Sequence, residues 1–152
     1  MAKRPPRLLA VASGGGHWVQ LLRLRDAFEG FETVYVSMFE NYAEAVPGAR
    51  LYTIPDASRF DKLSFLKVGL KALRIMAKER PKAIVTTGSA PMLGFILLGR
   101  MMGARTLWVD SIANAERMSS SGRLARRLAH RTVSQWPEVA EAEGVQYWGS
   151  VL

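Results

Sequence analysis

The chain has 152 residues, about one domain's worth, with 49% hydrophobic and 22% charged residues, so it folds around a core rather than staying disordered. Its 21 Lys and Arg against 13 Asp and Glu leave a formal charge of +8, a balance that favours phosphates, nucleic acid or an anionic membrane. The absence of cysteine excludes a disulfide scaffold, Cys-ligated zinc, iron–sulfur clusters and thiol catalysis, and two histidines argue against an all-His metal site.

In chain order, Leu8–Ala12 reads as a strand, followed by three glycines and a helix from Trp18 to Phe28. Thr33–Ser37 is a second strand and Arg50–Ile54 a short third. Asp61–Lys78 is a long helix stopped near Pro81. Ala83–Thr87 is the fourth strand, then a turn through Gly88 and Pro91 leads into an apolar helix ending near Met102. Thr106–Val109 is a strand, Arg123–His130 a helix, Thr132–Ser134 a short strand. Pro137 starts a last helix at its first turn, and Val145–Tyr147 is a final strand. Strands alternating with helices predict a single α/β domain over 1–152: an open, doubly wound, parallel, Rossmann-like sheet. The continuous apolar runs Ala83-Ile84-Val85 and Leu107-Trp108-Val109 suit strands buried on both faces. Ligands of such sheets sit beyond the carboxyl ends of the strands, where strand order reverses. Loops 13–17, 88–91 and 110–122 lie at that edge. The basic start Lys3-Arg4-Pro5-Pro6-Arg7 imitates a signal peptide, but the apolar run after it is too short. Thr86–Gly99 also falls short of the roughly 18 apolar residues of a spanning helix. The expectation is a cytoplasmic protein, peripheral on the inner face of the cytoplasmic membrane.

Ser13-Gly14-Gly15-Gly16-His17 is the strongest local signal. Its glycines allow close backbone approach, and the helix behind offers free N–H groups to a diphosphate or other anion. The alternative is a tight strand-to-helix turn. No Gly-Lys-Ser/Thr follows, so it is not a Walker loop, and the third glycine of a dinucleotide fingerprint is missing. That gap argues against a nicotinamide oxidoreductase with Glu40 on the ribose. His17 is a candidate general base or phosphate ligand, or a solvent-facing residue at a helix start. Thr87, Gly88 and Ser89 form a second small-residue loop that suits an anion or a sugar, or plain capping before Pro91. Asp110 and Ser111 end a strand, with Asn114 and Glu116 in the same loop. Asp110, Asn114 and Glu116 are each a candidate base or hydroxyl ligand, unranked by the residues themselves. A Ser13–His17–Asp110 triad is rejected, because Ser13 and His17 share one loop and no nucleophile elbow is present.

Two basic features account for the charge. Along the helix Asp61–Lys78, Leu66, Leu70, Leu73 and Ala77 form an apolar stripe, and Lys67, Lys71, Arg74 and Lys78 a basic stripe beside it. The pair suits an anionic membrane surface, or a sheet-covering helix with a solvated side. Arg117, Arg123, Arg126, Arg127 and Arg131 follow with no acid between them, a candidate lipid-phosphate site. No helix-turn-helix, zinc finger or stacking-aromatic pattern points to nucleic acid. The helix after Pro91, apolar nearly all round, is expected in the core with part of its surface toward lipid.

Ser13-Gly-Gly-Gly-His17 with Gln20-Leu21-Leu22, Thr87-Gly-Ser89-Ala-Pro91, Asp110-Ser111 and Gln135-Trp136-Pro137-Glu138 together resemble one family over nearly the whole chain. It is the membrane-associated subunit of the two-subunit UDP-N-acetylglucosaminyltransferase of dolichol-linked oligosaccharide synthesis, in its bacterial exopolysaccharide branch. The resemblance implies the N-terminal, acceptor-side half of a GT-B glycosyltransferase. A separate donor-binding subunit would supply the C-terminal half, and Tyr147–Ser150 would mark the crossover of a single-chain enzyme. It implies transfer of N-acetylglucosamine, glucuronic acid or a similar sugar from a UDP-sugar to a lipid-diphosphate-linked saccharide, with no cofactor and no metal. Eukaryotic members carry an N-terminal membrane anchor; none precedes Leu8, which implies attachment through surface patches or a partner. In that frame His17 is the first candidate base and Asp110 the second. Ser13, the 14–16 loop, the 87–89 loop, Ser111, Asn114 and Glu116 would bind substrate, and the basic residues would meet lipid phosphate. The competing reading is a nonenzymatic subunit that anchors a catalytic partner at the membrane.

Overall fold

The computed structural model of the chain describes residues 2–57 and 61–151. Seven strands, β1 (Arg7–Val11), β2 (Glu32–Ser37), β3 (Leu51–Thr53), β4 (Ala83–Thr86), β5 (Arg105–Val109), β6 (Arg131–Ser134) and β7 (Gln146–Tyr147), pair in parallel in the order β3-β2-β1-β4-β5-β6-β7. Five α-helices connect them: α1 (Gly16–Arg23), α2 (Lys62–Glu79), α3 (Leu93–Met101), α4 (Ser120–Leu128) and α5 (Pro137–Glu143). The order reverses between β1 and β4, so the crevice of the sheet opens above those two strands.

Alternation along β1 divides the core in two. Leu9 and Val11 face Val68, Ala72, Ile75 and Met76 of α2, Phe95 and Ile96 of α3 and Ala125 of α4. Leu8 and Ala10 face Trp18 and Leu21 of α1 and Phe28. Burial on both faces is why these strands read as unbroken apolar runs.

Several expected boundaries shift for local reasons. The first helix ends at Arg23 and continues as a 3₁₀ turn over Arg25–Phe28. The segment after Ser89 begins as a 3₁₀ turn, Ala90–Met92, before α3. Helix α4 starts at Ser120, three residues ahead of the expected Arg123, because the Ser119 hydroxyl caps it by accepting from the Gly122 N–H at 2.9 Å. Asp61 caps α2, accepting from the N–H groups of Leu63 and Ser64.

The largest correction concerns the faces of α2. The stripe Leu66, Leu70, Leu73 and Ala77 does not cover the sheet; Val68, Ala72, Ile75, Met76 and Glu79 do. Helix α2 carries two apolar stripes, and the one with Val68, Ala72, Ile75 and Met76 joins the core with β1 and α3. Leu63, Leu66, Leu70 and Leu73 are left between 47% and 58% exposed. Helix α3 buries Phe95 and Ile96 as expected of a core helix, while Leu97, Met101 and Met102 remain exposed.

At the opposite edge of the sheet from the crevice, Glu79 is 2% exposed and satisfied by a network. Its carboxylate accepts from the Tyr52 hydroxyl and from Arg50 at 2.8 Å, with Arg7 3.5 Å away. Burial by itself raises this carboxyl, but the hydrogen bonds from Tyr52 and Arg50 and the charges of Arg50 and Arg7 outweigh it and hold the group below its ordinary value. A depressed folded-state value means stability that is present above the unfolded value and lost as pH falls through the folded one. Glu79→Gln is therefore expected to cost about 2 kcal/mol at pH 7 and to flatten the acid limb of the stability curve below about pH 4.5, read by urea denaturation across pH. An unchanged acid limb would remove Glu79 from the account of acid stability.

Candidate functional site

A cavity of about 300 Å³ opens at the crevice, lined by residues from all three loops at the carboxyl edge: His17, Thr87–Pro91, Asp110, Ser111, Asn114 and Ser119–Ser121. Each segment arrives there because its strand ends there. β1 delivers His17, β4 delivers Thr87 and Ser89, and β5 delivers Asp110.

His17 is tied to the 87–88 loop at three points. Its Nδ1 lies 2.8 Å from the Thr87 carbonyl oxygen, and the Thr87 hydroxyl donates to the His17 carbonyl at 2.6 Å. A carbonyl only accepts, so Nδ1 carries the hydrogen and the lone pair of the neutral ring sits on Nε2. Gly88 completes the fit: its φ is +111°, and a Cβ there would stand 2.9 Å from His17 Nδ1. The ring thus has one tautomer, one orientation and a basic nitrogen without a protein partner among the described residues.

Asp110 is arranged differently. Its carboxylate, in a residue 3% exposed, accepts from Trp108 Nε1 at 3.1 Å, Asn114 Nδ2 at 3.0 Å, the Ser119 N–H at 3.0 Å and the Ser119 hydroxyl at 2.6 Å. Four donors occupy both oxygens, so the group expected as second candidate base has no open oxygen and instead pins the start of α4 to the end of β5. Replacing it by asparagine turns an NH₂ toward donors. Asp110→Asn is expected to lose about 3 kcal/mol of stability. Equilibrium denaturation checks this; full stability with lost turnover would return Asp110 to the chemistry.

The glycine loop meets the cavity less than expected. Ser13 is buried, donates its N–H to the Gly88 carbonyl at 2.9 Å and accepts from the Ser37 hydroxyl at 2.8 Å through its own carbonyl. The Gly15 N–H donates to the Tyr42 hydroxyl at 3.0 Å. A Cβ at Gly14 would collide with the Phe39 ring, so the glycine there admits an aromatic neighbour. None of Ser13, Gly14, Gly15 or Gly16 lines the cavity; the loop aims His17.

Glu116 and Arg117 are exposed and lie with Asn114 at a separate shallow depression outside the cavity. Arg123 pairs with Glu143 at 2.7 Å and Arg126 donates to the Glu143 carbonyl. The acid lies outside the arginine run in sequence, so the pairing was invisible there. Arg127 and Arg131 are exposed. Lys67, Lys71, Arg74 and Lys78 line one shallow groove of about 440 Å³ along α2 with Tyr52 and Leu70. Sequence reasoning missed Ser119–Ser121 as cavity residues, although Ser-Ser-Ser-Gly ahead of a helix is a readable cap. Among the described residues no cluster of three or more potential metal ligands occurs, and no helix is long and apolar enough to cross a membrane.

No protein-family model matches the chain. It is 25% identical over 168 aligned positions to the UDP-N-acetylglucosamine transferase subunit ALG14 of Yarrowia lipolytica, covering 90% of this chain and 76% of that protein. Among solved structures, MurG of Acinetobacter baumannii aligns with a TM-score of 0.72 at 17% identity over 89% of this chain. A UDP-N-acetylglucosamine 2-epimerase of Listeria monocytogenes aligns at 0.70 and 16% over 96%, and a glycosyltransferase of Rickettsia africae ESF-5 at 0.69 and 11% over 95%. The chain spans 42%, 44% and 41% of those three structures, respectively. Its fold is therefore that of the Rossmann-like N-terminal half of GT-B enzymes, and its sequence is similar to that of a glycosyltransferase subunit.

Proposed function

We propose that this protein is the acceptor-side subunit of a two-component, UDP-sugar-dependent glycosyltransferase that extends a lipid-diphosphate-linked saccharide in polysaccharide biosynthesis. The observation that carries the reading is His17: a histidine fixed in one tautomer, its Nε2 unpartnered, in the wall of a cavity at the switch point of a half-GT-B fold. Similarity to the ALG14 subunit supports a separate subunit as partner. In the reaction an acceptor hydroxyl oxygen bonds to the anomeric carbon while the bond to the UDP oxygen breaks. The hydroxyl proton passes to His17 Nε2, and UDP leaves with the bonding pair. The N–H groups of Ser120 and Ser121 at the start of α4 and the Ser89 hydroxyl offer donors to an acceptor phosphate or sugar. Asp110 holds that wall. The reading calls on no metal and no cofactor; the UDP-sugar is a substrate held by the partner.

The exposed leucines of α2 give the acceptor its approach. Leu63 and Leu66 flank Phe65, which lines the cavity, and the leucine row runs on beside Lys67, Lys71, Arg74 and Lys78. An apolar row edged by four cations suits an anionic bilayer, with the cavity mouth at the lipid surface.

Co-expression with the donor-binding subunit, followed by transfer from a panel of UDP-sugars to membrane lipid extracts, tests the reading. Transfer is expected from the pair and from neither subunit alone, with UDP-N-acetylglucosamine as the first donor. A stable pair with no transfer from any donor would overturn it in favour of an anchoring subunit.

A further inference from the structure

Two glutamines with no part in the chemistry above are almost wholly buried: Gln20 of α1 is 5% exposed and Gln135, just past β6, is 3% exposed. Their amides form one continuous hydrogen-bonded chain. The Val151 N–H donates to Gln135 Oε1 at 2.9 Å. Gln135 Nε2 donates to Gln20 Oε1 at 2.7 Å and to the Asp110 carbonyl at 2.9 Å. Gln20 Oε1 also accepts from the Ile112 N–H at 3.1 Å, and Gln20 Nε2 donates to the Ser111 hydroxyl at 3.1 Å. That hydroxyl in turn accepts from the Ala113 N–H at 3.2 Å. Gln20 stands one turn after His17 on the same helix, so it fastens the helix that carries His17 to the loop that carries Ser111 and Asn114.

We propose that Gln20 and Gln135 are positioning residues that set the distance between His17 and the 110–114 wall of the cavity, and that the Val151 N–H anchors the far end of their hydrogen-bonded chain. The amide orientations form a single consistent set. The Asp110 carbonyl and the Val151 N–H together fix which end of Gln135 is the NH₂; Gln20 receives that NH₂ and the Ile112 N–H on its oxygen, so its own NH₂ must face Ser111. Buried amides have no water to substitute for a lost partner, so unseating Val151 leaves Gln135 Oε1 unpaired and loosens the chain that runs on through Gln20 to Ser111 and Ile112. Arg23 of α1 donates to the Val151 carbonyl at 3.1 Å, which fastens the same segment from the other side. Anything that reseats segment 148–151, including a subunit bound there, would thus retune the cavity. The kinetic consequence rests on the glycosyltransferase reading, while the coupling itself does not.

The test uses the full chain for hydrogen exchange and the assembled pair for kinetics. Val151→Pro removes the N–H donor at the end of the chain, at a residue that does not line the cavity. It is expected to speed exchange of the Ile112 and Ala113 amides about tenfold while the β1 and β4 amides keep their protection. Gln20→Met removes both the donor and the acceptor and is expected to raise the acceptor KM about tenfold with the donor KM unchanged; Gln20→Glu, which keeps an accepting oxygen for Ile112 and Gln135, recovers most of that loss. Unchanged exchange at Ile112 in Val151→Pro would overturn the proposal. So would faster exchange spread evenly over the sheet in Gln20→Met, which marks a merely structural role. Coupled exchange in a pair that transfers no sugar would sustain the coupling and sink the glycosyltransferase reading instead.

Discussion

His17→Ala is expected to lower transfer by the assembled pair by about 10²–10⁴-fold, the usual contribution of a positioned general base, with assembly and folding intact. The side chain makes one hydrogen bond, from Nδ1 to the Thr87 carbonyl, and the helix position tolerates alanine, so the loss falls on turnover rather than stability. His17→Gln sharpens the experiment. Its amide can reach the Thr87 carbonyl as a donor, but it has no basic nitrogen for the acceptor proton. If Gln restored turnover, the contact with Thr87 would be the whole of the residue's role, and the base would have to be sought elsewhere. A second route to the same loss is Gly88→Ala, whose Cβ would stand 2.9 Å from His17 Nδ1 in a backbone conformation that L residues avoid. That variant is expected to lose turnover by displacing the ring. Full activity in Gly88→Ala would show that the ring position is less constrained than its contacts indicate.

Replacing Lys67, Lys71, Arg74 and Lys78 together by glutamate is expected to abolish binding to phosphatidylglycerol vesicles. At about 1 kcal/mol per basic residue near an anionic surface, removing four cations alone weakens binding by roughly a thousandfold, and the added acids repel the surface further. Phosphatidylcholine vesicles are expected to bind weakly with or without the change. Leu66→Glu with Leu70→Glu attacks the apolar component of the same face. Both leucines are more than half exposed, at 58% and 52%, so this pair leaves the fold standing while removing the groups that would enter the acyl region. High salt separates the two contributions: at 1 M the Debye length is about 3 Å, and binding that remains is the share of the leucines. Co-sedimentation of the quadruple variant at the wild-type level would assign α2 a different partner. The Glu79 network adjoins this face through Tyr52, whose ring centroid lies 5.7 Å from Lys78 Nζ, so acid stability is measured beside vesicle binding in the same variant.

The sheet was legible from local signals. Ala83-Ile84-Val85 and Leu107-Trp108-Val109 are apolar without alternation because helices cover both faces, and that pattern by itself called for parallel strands in a doubly wound order. The three site loops followed from the same logic, since in such a sheet every strand that runs into a helix brings its next residues to one edge. His17, Thr87–Ser89, Asp110, Ser111 and Asn114 were therefore placed near one another before any coordinate. What a side chain does at that edge depends on partners distant in sequence, and here only the tertiary structure decided. Asp110 is a carboxylate at a strand end in either view, but Trp108, Asn114 and Ser119 must close around it before its oxygens are seen to be occupied. Arg123 looked unpaired until the fold brought Glu143 to it. The two apolar stripes of α2 are equivalent in periodicity. Which one turns inward is seen only in the fold, where Val68, Ala72 and Ile75 are buried and Leu66, Leu70 and Leu73 are left exposed. Gln20 and Gln135 are 115 positions apart, and a polar residue within a helix or after a strand carries no local mark of burial. Hydrophobic period is a property of neighbours in the chain, so the sequence determined the architecture and the edge where the site lies; hydrogen-bond satisfaction is a property of neighbours in space, so only folding decided which residues there are left open to a ligand.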